Sequence, residues 1–341
     1  VPPRKPFDLI VIGGGILGSF VAYFAQRRGV STLLLSRHAP PQTTSFVSGG
    51  LLAPHGEMLK EDLLHDGEKG LEFYLSFLPD ISRKHPIFWG KGLLLSVEKE
   101  IADSLELYFQ KHPHIPHTYH PQDLSLHLPE GFYLPTNGFV NPQDLLLALQ
   151  TTFQESGGTI SFLEVLHIEE GKHWKLHTYR GVIEGEKIAL ATGIHPPPPP
   201  FSFKEIAPDR GILLYVEGEF SLPFPIFHYG EKGVTYIVPY PHGVKIGSTT
   251  KVGDNRKKAD PEEVGNLLLR GVHLYPPLRE GSFAKVTVGF RPLYPTTGKP
   301  IVLPFSKSVV YGNGLHRNGI LLAPIVAQRM LGVLGLEEKT P

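Results

Sequence analysis

Three glycines, Gly13, Gly15 and Gly18, stand in the spacing G-x-G-x-x-G. Between a strand and a helix, such a turn can hold a pyrophosphate. The first glycine permits the tight turn, the second lets the main chain approach the phosphates, and the third lets helix and strand pack closely. The N–H groups of Ile16 and Leu17 then face the phosphates, with the positive end of the helix behind them. At the end of the following strand, where a carboxylate usually meets the ribose, the sequence has Ser36 and Arg37. An arginine there also suits a 2′-phosphate, so at this point NADP competes with an unphosphorylated dinucleotide.

Further along lie other residues with chemical potential. Thr43, Thr44 and Ser45 precede Ser48, Gly49, Gly50, Leu51, Leu52, Ala53 and Pro54. The glycine pair lets main chain lie against a flat ring, and it reads equally as a flexible loop. Near the C-terminus, Gly289-Phe290-Arg291-Pro292 is followed by Leu315-His316-Arg317-Asn318-Gly319-Ile320-Leu321. Arg317 to Gly319 open the last helix, whose free N–H groups suit an electron-rich carbonyl or an anionic ring. Arg291 and Arg317 each offer a planar fork that matches a carboxylate, or else lie solvated on the surface. Many of the 17 histidines fall in His/Pro-rich loops such as residues 112–120, and no pair shows a compelling ligand spacing with a helix to support it, so no metal is assigned.

The elements that must position these residues follow from periodicity. Residues 8–12 are a short apolar strand, residues 19–28 a helix ending at Gly29, and residues 31–35 a second buried strand. This is a βαβ unit, which implies a parallel sheet with a right-handed crossover. Residues 57–134 combine helix-like segments with an aperiodic His/Pro stretch and look inserted. Residues 141–155 form a helix with Asn141 as cap and Pro142 in its first turn, and a strand over 159–169 follows. The strand over 182–191 leads into five prolines, residues 196–200, expected as a rigid connector between lobes. Residues 211–249 alternate as an antiparallel sheet, with a helix over 261–275 against it.

At 341 residues the chain is long enough for two lobes. Hydrophobic residues at 41% and charged residues at 19% exclude a mostly disordered chain. The 33 basic and 33 acidic residues cancel, so no global field steers the protein towards nucleic acid. The absence of cysteine excludes disulfides, thiolate metal sites, cysteine nucleophiles and a cysteine-tethered flavin. Residues 1–7 lack a secretory signal pattern, and the apolar stretch 320–336 contains Gln328 and Arg329 and is short for a membrane span. The expectation is a cytoplasmic protein with an amphipathic closing helix.

Together the motifs resemble the glycine oxidase branch of the D-amino-acid oxidase family of FAD-dependent flavoproteins. The resemblance covers nearly the whole chain. It rests on residues 11–18, residues 48–54, Glu164-Val165-Leu166-His167-Ile168, Tyr236-Ile237-Val238-Pro239, Gly289-Phe290-Arg291-Pro292, and Arg317-Asn318-Gly319-Ile320-Leu321-Leu322-Ala323-Pro324. It implies an α/β (α+β) fold: a Rossmann-like FAD-binding lobe of the glutathione-reductase type with an inserted antiparallel-sheet substrate domain. The expected FAD lobe is residues 1–75, 138–206 and 285–341, and the expected substrate lobe residues 76–137 and 207–284.

By the same resemblance, FAD is held non-covalently by Gly13, Gly15, Ile16, Leu17 and Gly18, by Ser36 and Arg37 near the ribose, and by Thr44 and Ser45. Gly49, Gly50 and Leu51 line the isoalloxazine, and Val165 meets the adenine side through its backbone. Leu315, His316, Arg317, Asn318, Gly319, Ile320 and Leu321 wrap the pyrimidine end. Arg291 is the implied carboxylate clamp, Arg317 a second substrate contact, and Tyr236 a hydroxyl donor to the same carboxylate. The implied reaction is hydride transfer from the Cα of glycine, sarcosine or a small D-amino acid to flavin N5, with a link to thiamine thiazole synthesis. A dehydrogenase using a non-oxygen acceptor, a tRNA-modifying flavin enzyme and a catalytically silent flavin protein are the alternatives. Self-association is left open. Departures from the family pattern are Ser36 in place of the ribose acid, His316 one step from the expected histidine, and Val234 where a polar residue is common.

Overall fold

The computed structural model describes residues 5–120, 122–123, 127–231 and 233–337. The chain divides into two compact units. One comprises Val1–Phe46, Gln143–Asp209 and Phe290–Pro341, and the other Val47–Pro142 and Arg210–Gly289.

The first unit is built on a sheet whose centre is parallel. Phe7–Ile12 pairs in parallel with Thr32–Leu35 on one side and with Gly181–Leu190 on the other. Thr159–Ser161 extends the sheet beyond Thr32–Leu35, and Val309–Asn313 extends it beyond Gly181–Leu190. Strand order therefore reverses at Phe7–Ile12, and in open α/β sheets a ligand crevice forms outside the carboxyl ends of the strands at such a reversal. Leu9, Ile10, Val11, Leu34 and Leu35 have no exposure, which explains the unbroken apolar runs of these strands. The helix Ile16–Arg27 packs against the last helix, Gly319–Val333. Helix formation begins at Ile16 and not at residue 19, because Gly15 supplies the extended N-cap backbone at φ −76, ψ −174.

The expected single strand over 159–169 is two strands, Thr159–Ser161 and His167–Glu169. The first pairs with Thr32–Leu35 and the second, antiparallel, with Trp174–Thr178, so the segment turns between two different partners. The five prolines also depart from expectation. They lie inside the first unit, with the Pro199 carbonyl accepting the Ile168 N–H at 2.7 Å.

The second unit holds a mainly antiparallel nine-stranded sheet and a three-stranded sheet. In the small sheet, Leu51–Leu52 and Trp89–Lys91 flank Gly138–Val140. That pairing explains why residues 47–75 and 138–142 group with this unit, and not with the first as the sequence suggested. The helix Pro261–Leu274 is capped by Asp260, whose carboxylate accepts the Glu262 N–H at 3.0 Å. It packs its buried Leu267 and Leu274 with Ile212, Leu214, Ile237 and Ile246 of the large sheet.

Arg210, with no exposure, fixes this unit's core polar network. Its Nη1 meets both oxygens of Glu263 at 3.0 and 2.9 Å, while Nε and Nη2 donate to the carbonyls of Arg256 and Lys258. Burial would raise the Glu263 carboxyl. Hydrogen bonds from Thr249 and Arg210, with the charges of Arg210 and Lys251, outweigh it and hold the group below its ordinary value. A depressed carboxylate stabilises the fold above its unfolded value of about 4.3, and that contribution is lost as pH falls through the folded value. Arg210→Met is expected to cost about 3–5 kcal/mol, since it strands a buried carboxylate, and to flatten the acid limb of the stability profile. Urea unfolding at pH 7 and at pH 4 measures both effects.

Candidate active site

The first unit brings the front and back motifs of the chain together through a series of hydrogen bonds. At the front, an added Cβ on Gly13, whose φ is +123, would meet the Ala191 carbonyl, and one on Gly18 would strike the Gly13 carbonyl. These two glycines are dictated by close approach of the chain to itself. Gly15 differs, because its Cβ would meet only Ser45 Oγ, at 3.2 Å. Space therefore remains in front of the helix start, where the N-cap carries no side-chain bond and the first turn no acid. Gln150 steadies the turn, donating from Nε2 to the Gly14 carbonyl at 3.0 Å and to Ser19 Oγ at 3.1 Å.

Ser45 and Thr44 link this turn to the rest. The Ile16 N–H donates to Ser45 Oγ at 3.0 Å, which ties the start of the helix to the 43–45 segment. Thr44 Oγ1 donates to the Phe290 carbonyl at 3.0 Å, next to Arg291. Arg291 Nη1 in turn donates to Asp209 Oδ2 at 2.9 Å, and His316 Nε2 meets the same oxygen at 2.8 Å. Asp209 has no exposure, whereas the Arg291 and His316 side chains are 16% and 23% exposed, so both reach partly towards open space. Burial would raise the Asp209 carboxyl, but the His316 hydrogen bond and the Arg291 charge and hydrogen bond hold it below the ordinary carboxylate range. His316 adopts φ +47, a left-handed conformation that costs a non-glycine residue energy and that its bond to Asp209 helps to hold.

His316, Arg317 and Asn318 form a single tight turn ahead of the last helix, and all three are half-buried. Leu315, Ile320 and Leu321 are buried. Asn313, 1% exposed, fixes the approach to this turn by donating to the Gly193 carbonyl and accepting the Gly314 N–H.

At the end of Thr32–Leu35, Ser36 lies against the glycine turn and donates its hydroxyl to the His38 carbonyl at 2.6 Å. Arg37 pairs with Glu164 at 2.6 Å, both about two-fifths exposed. The arginine that could meet a 2′-phosphate thus has an acid of the same chain beside it. Val165 buries its side chain with Ile12 and Leu35.

The remaining predicted residues belong to the second unit. Tyr236 lies against Gly49 and Gly247; its hydroxyl is 2.8 Å from the point a Gly49 Cβ would occupy. Gly50, at φ +85, leaves no room for a Cβ beside the Val140 carbonyl and Pro142. His55 anchors the loop that follows: Asn137 Nδ2 donates to its Nδ1 at 2.9 Å and its Nε2 meets Glu68 at 3.2 Å. Burial lowers its pKa and favours the neutral ring. Among the described residues no group of three His, Asp or Glu side chains gathers as a metal site.

Sequence reasoning missed Asp209, Gln150 and Lys245, and named Glu164 only as part of a motif. Lys245 is 1% exposed, donates to Asn141 Oδ1 at 2.9 Å and lies 4.8 Å from the Tyr240 ring centre. A visible signal was the charged pair Asp209-Arg210 at the head of an apolar strand, Gly211-Ile212-Leu213-Leu214.

The sequence matches the FAD dependent oxidoreductase family over residues 8–331. The chain belongs to that family. The chain is 26% identical over 347 residues to the bifunctional protein ThiO/ThiG of Trichormus variabilis, covering 94% of this chain and 51% of that one. It is 24% identical to the glycine oxidase of Bacillus subtilis, covering 94% and 91%. It therefore spans about half the length of the bifunctional relative and most of the glycine oxidase. The solved glycine oxidase of Geobacillus kaustophilus superposes with a TM-score of 0.87 at 21% identity, over 99% of this chain and 96% of that one. The fold is thus the one found in that solved glycine oxidase, and among the described residues no helix is long and apolar enough to cross a membrane.

The glycine turn fits the family's cofactor: Gly15 leaves an open approach, and the helix behind it presents no negative charge. Ser45→Ala, which removes the acceptor of the Ile16 N–H, is expected to cost about 1 kcal/mol of stability in the FAD-free protein. Chemical denaturation of wild type and variant reads that difference.

Proposed function

We propose that the oxidoreductase oxidises the carbon–nitrogen bond of a small amino acid or amine, such as glycine, sarcosine or a small D-amino acid. The observation that carries this reading is the run of hydrogen bonds from the Ile16 N–H through Ser45, Thr44 and Phe290 to Arg291, Asp209 and His316. It links a dinucleotide-type turn to a guanidinium suited to a carboxylate. The first unit is read as the FAD lobe and the second, with Tyr236, as the substrate lobe.

Gly13, Gly15, Ile16, Leu17 and Gly18 would hold the pyrophosphate, Thr44 and Ser45 the adjoining region, and Arg317 to Gly319 the carbonyl end of the flavin. Ser36, Arg37 and Val165 would border the adenosine, and Gly49, Gly50 and Leu51 the ring. Bound FAD supplies the two-electron oxidising power for removal of hydride from the substrate Cα. Arg291 holds the substrate carboxylate, with Arg317 and the Tyr236 hydroxyl as further partners. Fixing the acid group orients the Cα–H bond and converts an encounter into an intramolecular event. Such a step asks for positioning more than for acid–base groups, which suits a site rich in arginine, backbone amides and hydroxyls. The imine that results is hydrolysed by water to an oxo acid and ammonia or an amine. The name of the ThiO relative from Rhizobium etli, a thiamine biosynthesis oxidoreductase, supports a place in thiamine biosynthesis.

The purified protein is expected to be yellow and to release hydrogen peroxide with at least one of glycine, sarcosine or D-alanine. Flavin bleaching without peroxide would point to another electron acceptor, and no bleaching with any of them would sink the amino-acid reading. Arg291→Ala, assayed with its FAD retained, is expected to lose about 100-fold or more in kcat/KM, roughly 2.7 kcal/mol of transition-state stabilisation.

A further inference from the structure

The proposed reaction gives no task to Asp209, yet this residue is tied to two of its parts. Its Oδ2 accepts from Arg291 Nη1 at 2.9 Å and meets His316 Nε2 at 2.8 Å, and it has no exposure to solvent. Arg291 and Asp209 together carry no net charge before a substrate arrives. A substrate carboxylate held by Arg291 is then a second anion beside the same guanidinium, within a few ångströms of the first. Carboxylates that share a site repel, and partial burial strengthens the effect. A backbone carbonyl or an amide oxygen would fix the guanidinium equally well without setting this opposition. The choice of a carboxylate therefore does two things: it orients Arg291 and it offsets the charge that Arg291 shows to a ligand. His316, drawn onto the same oxygen, connects both to the start of the last helix.

We propose that Asp209 is a positioning residue that sets substrate specificity by weakening the grip of Arg291 on carboxylates. The site then selects small zwitterionic amino acids by the fit of the amine-bearing carbon, with modest affinity for the acid group. The inference rests on the reading of Arg291 as the carboxylate clamp, and its test separates the two.

The FAD-loaded wild type, Asp209→Asn and Arg291→Ala are titrated with acetate and with acetamide at fixed ionic strength, following the flavin absorption. Asp209→Asn is expected to bind acetate roughly tenfold more tightly or better, with acetamide unchanged, and to lower KM for the amino-acid substrate without raising kcat. A merely structural role would move acetate and acetamide alike. Equal or weaker acetate binding by Asp209→Asn, alongside lost acetate binding in Arg291→Ala, overturns the role of Asp209 and leaves the clamp standing. Acetate binding that is indifferent to Arg291→Ala overturns the clamp and this inference with it. FAD content and thermal midpoint establish that each variant is folded, and Asp209→Ser, neutral and smaller, carries the same comparison if the amide variant is not.

Discussion

A carboxylate wholly removed from water, Asp209, joins a guanidinium carried by one strand to an imidazole at the head of the last helix. Burying such a charge is tolerable only when donors surround it. The sheet order makes the arrangement possible. Strands Phe7–Ile12, Gly181–Leu190 and Val309–Asn313 run parallel, so the segments leaving their carboxyl ends emerge on one side. Those segments include the glycine turn and the His316 turn.

What surrounds this centre is held by side chains distant in sequence, and the strength of each link follows its environment. Gln150 and Asn313 are nearly inaccessible and fasten backbone carbonyls, so losing either would leave buried polar groups unmatched. Arg37 and Glu164 are both well exposed, and a surface pair of that kind contributes little to stability. Its interest is electrostatic, because it cancels a positive charge at the end of the second strand. In the other unit Arg210 and Glu263 show the buried case, in which Nη1 spans both carboxylate oxygens while Nε and Nη2 reach two separate carbonyls, a set of acceptors that a single lysine ammonium could not serve.

The βαβ opening was legible because its signals are local: two apolar runs buried on both faces and a glycine spacing whose purpose is steric. The FAD family was legible from motifs scattered over the chain. Helix and strand limits were less so, since Ile16 and Leu17 extend the helix back to the glycines and residues 159–169 split between partners that only the tertiary structure reveals. The polar positions were the hardest. Asp209 finds Arg291 across 82 residues, Gln150 finds Gly14 across 136, and Lys245 finds Asn141 across 104. No periodicity encodes a hydrogen bond over such separations, and a lone polar residue in an apolar stretch marks the place without naming its partner.

The five prolines acquire a different meaning once their neighbour is known. His167–Glu169 is the outermost strand on its side of the first unit's sheet. A rim of that kind offers amide donors on which another chain can assemble, a common route to aggregation. Here the Ile168 amide is already taken by the Pro199 carbonyl, and prolines have no amide hydrogen with which to continue a ladder. The run thereby closes the sheet laterally, protecting against unwanted strand addition with residues that cannot themselves become a template.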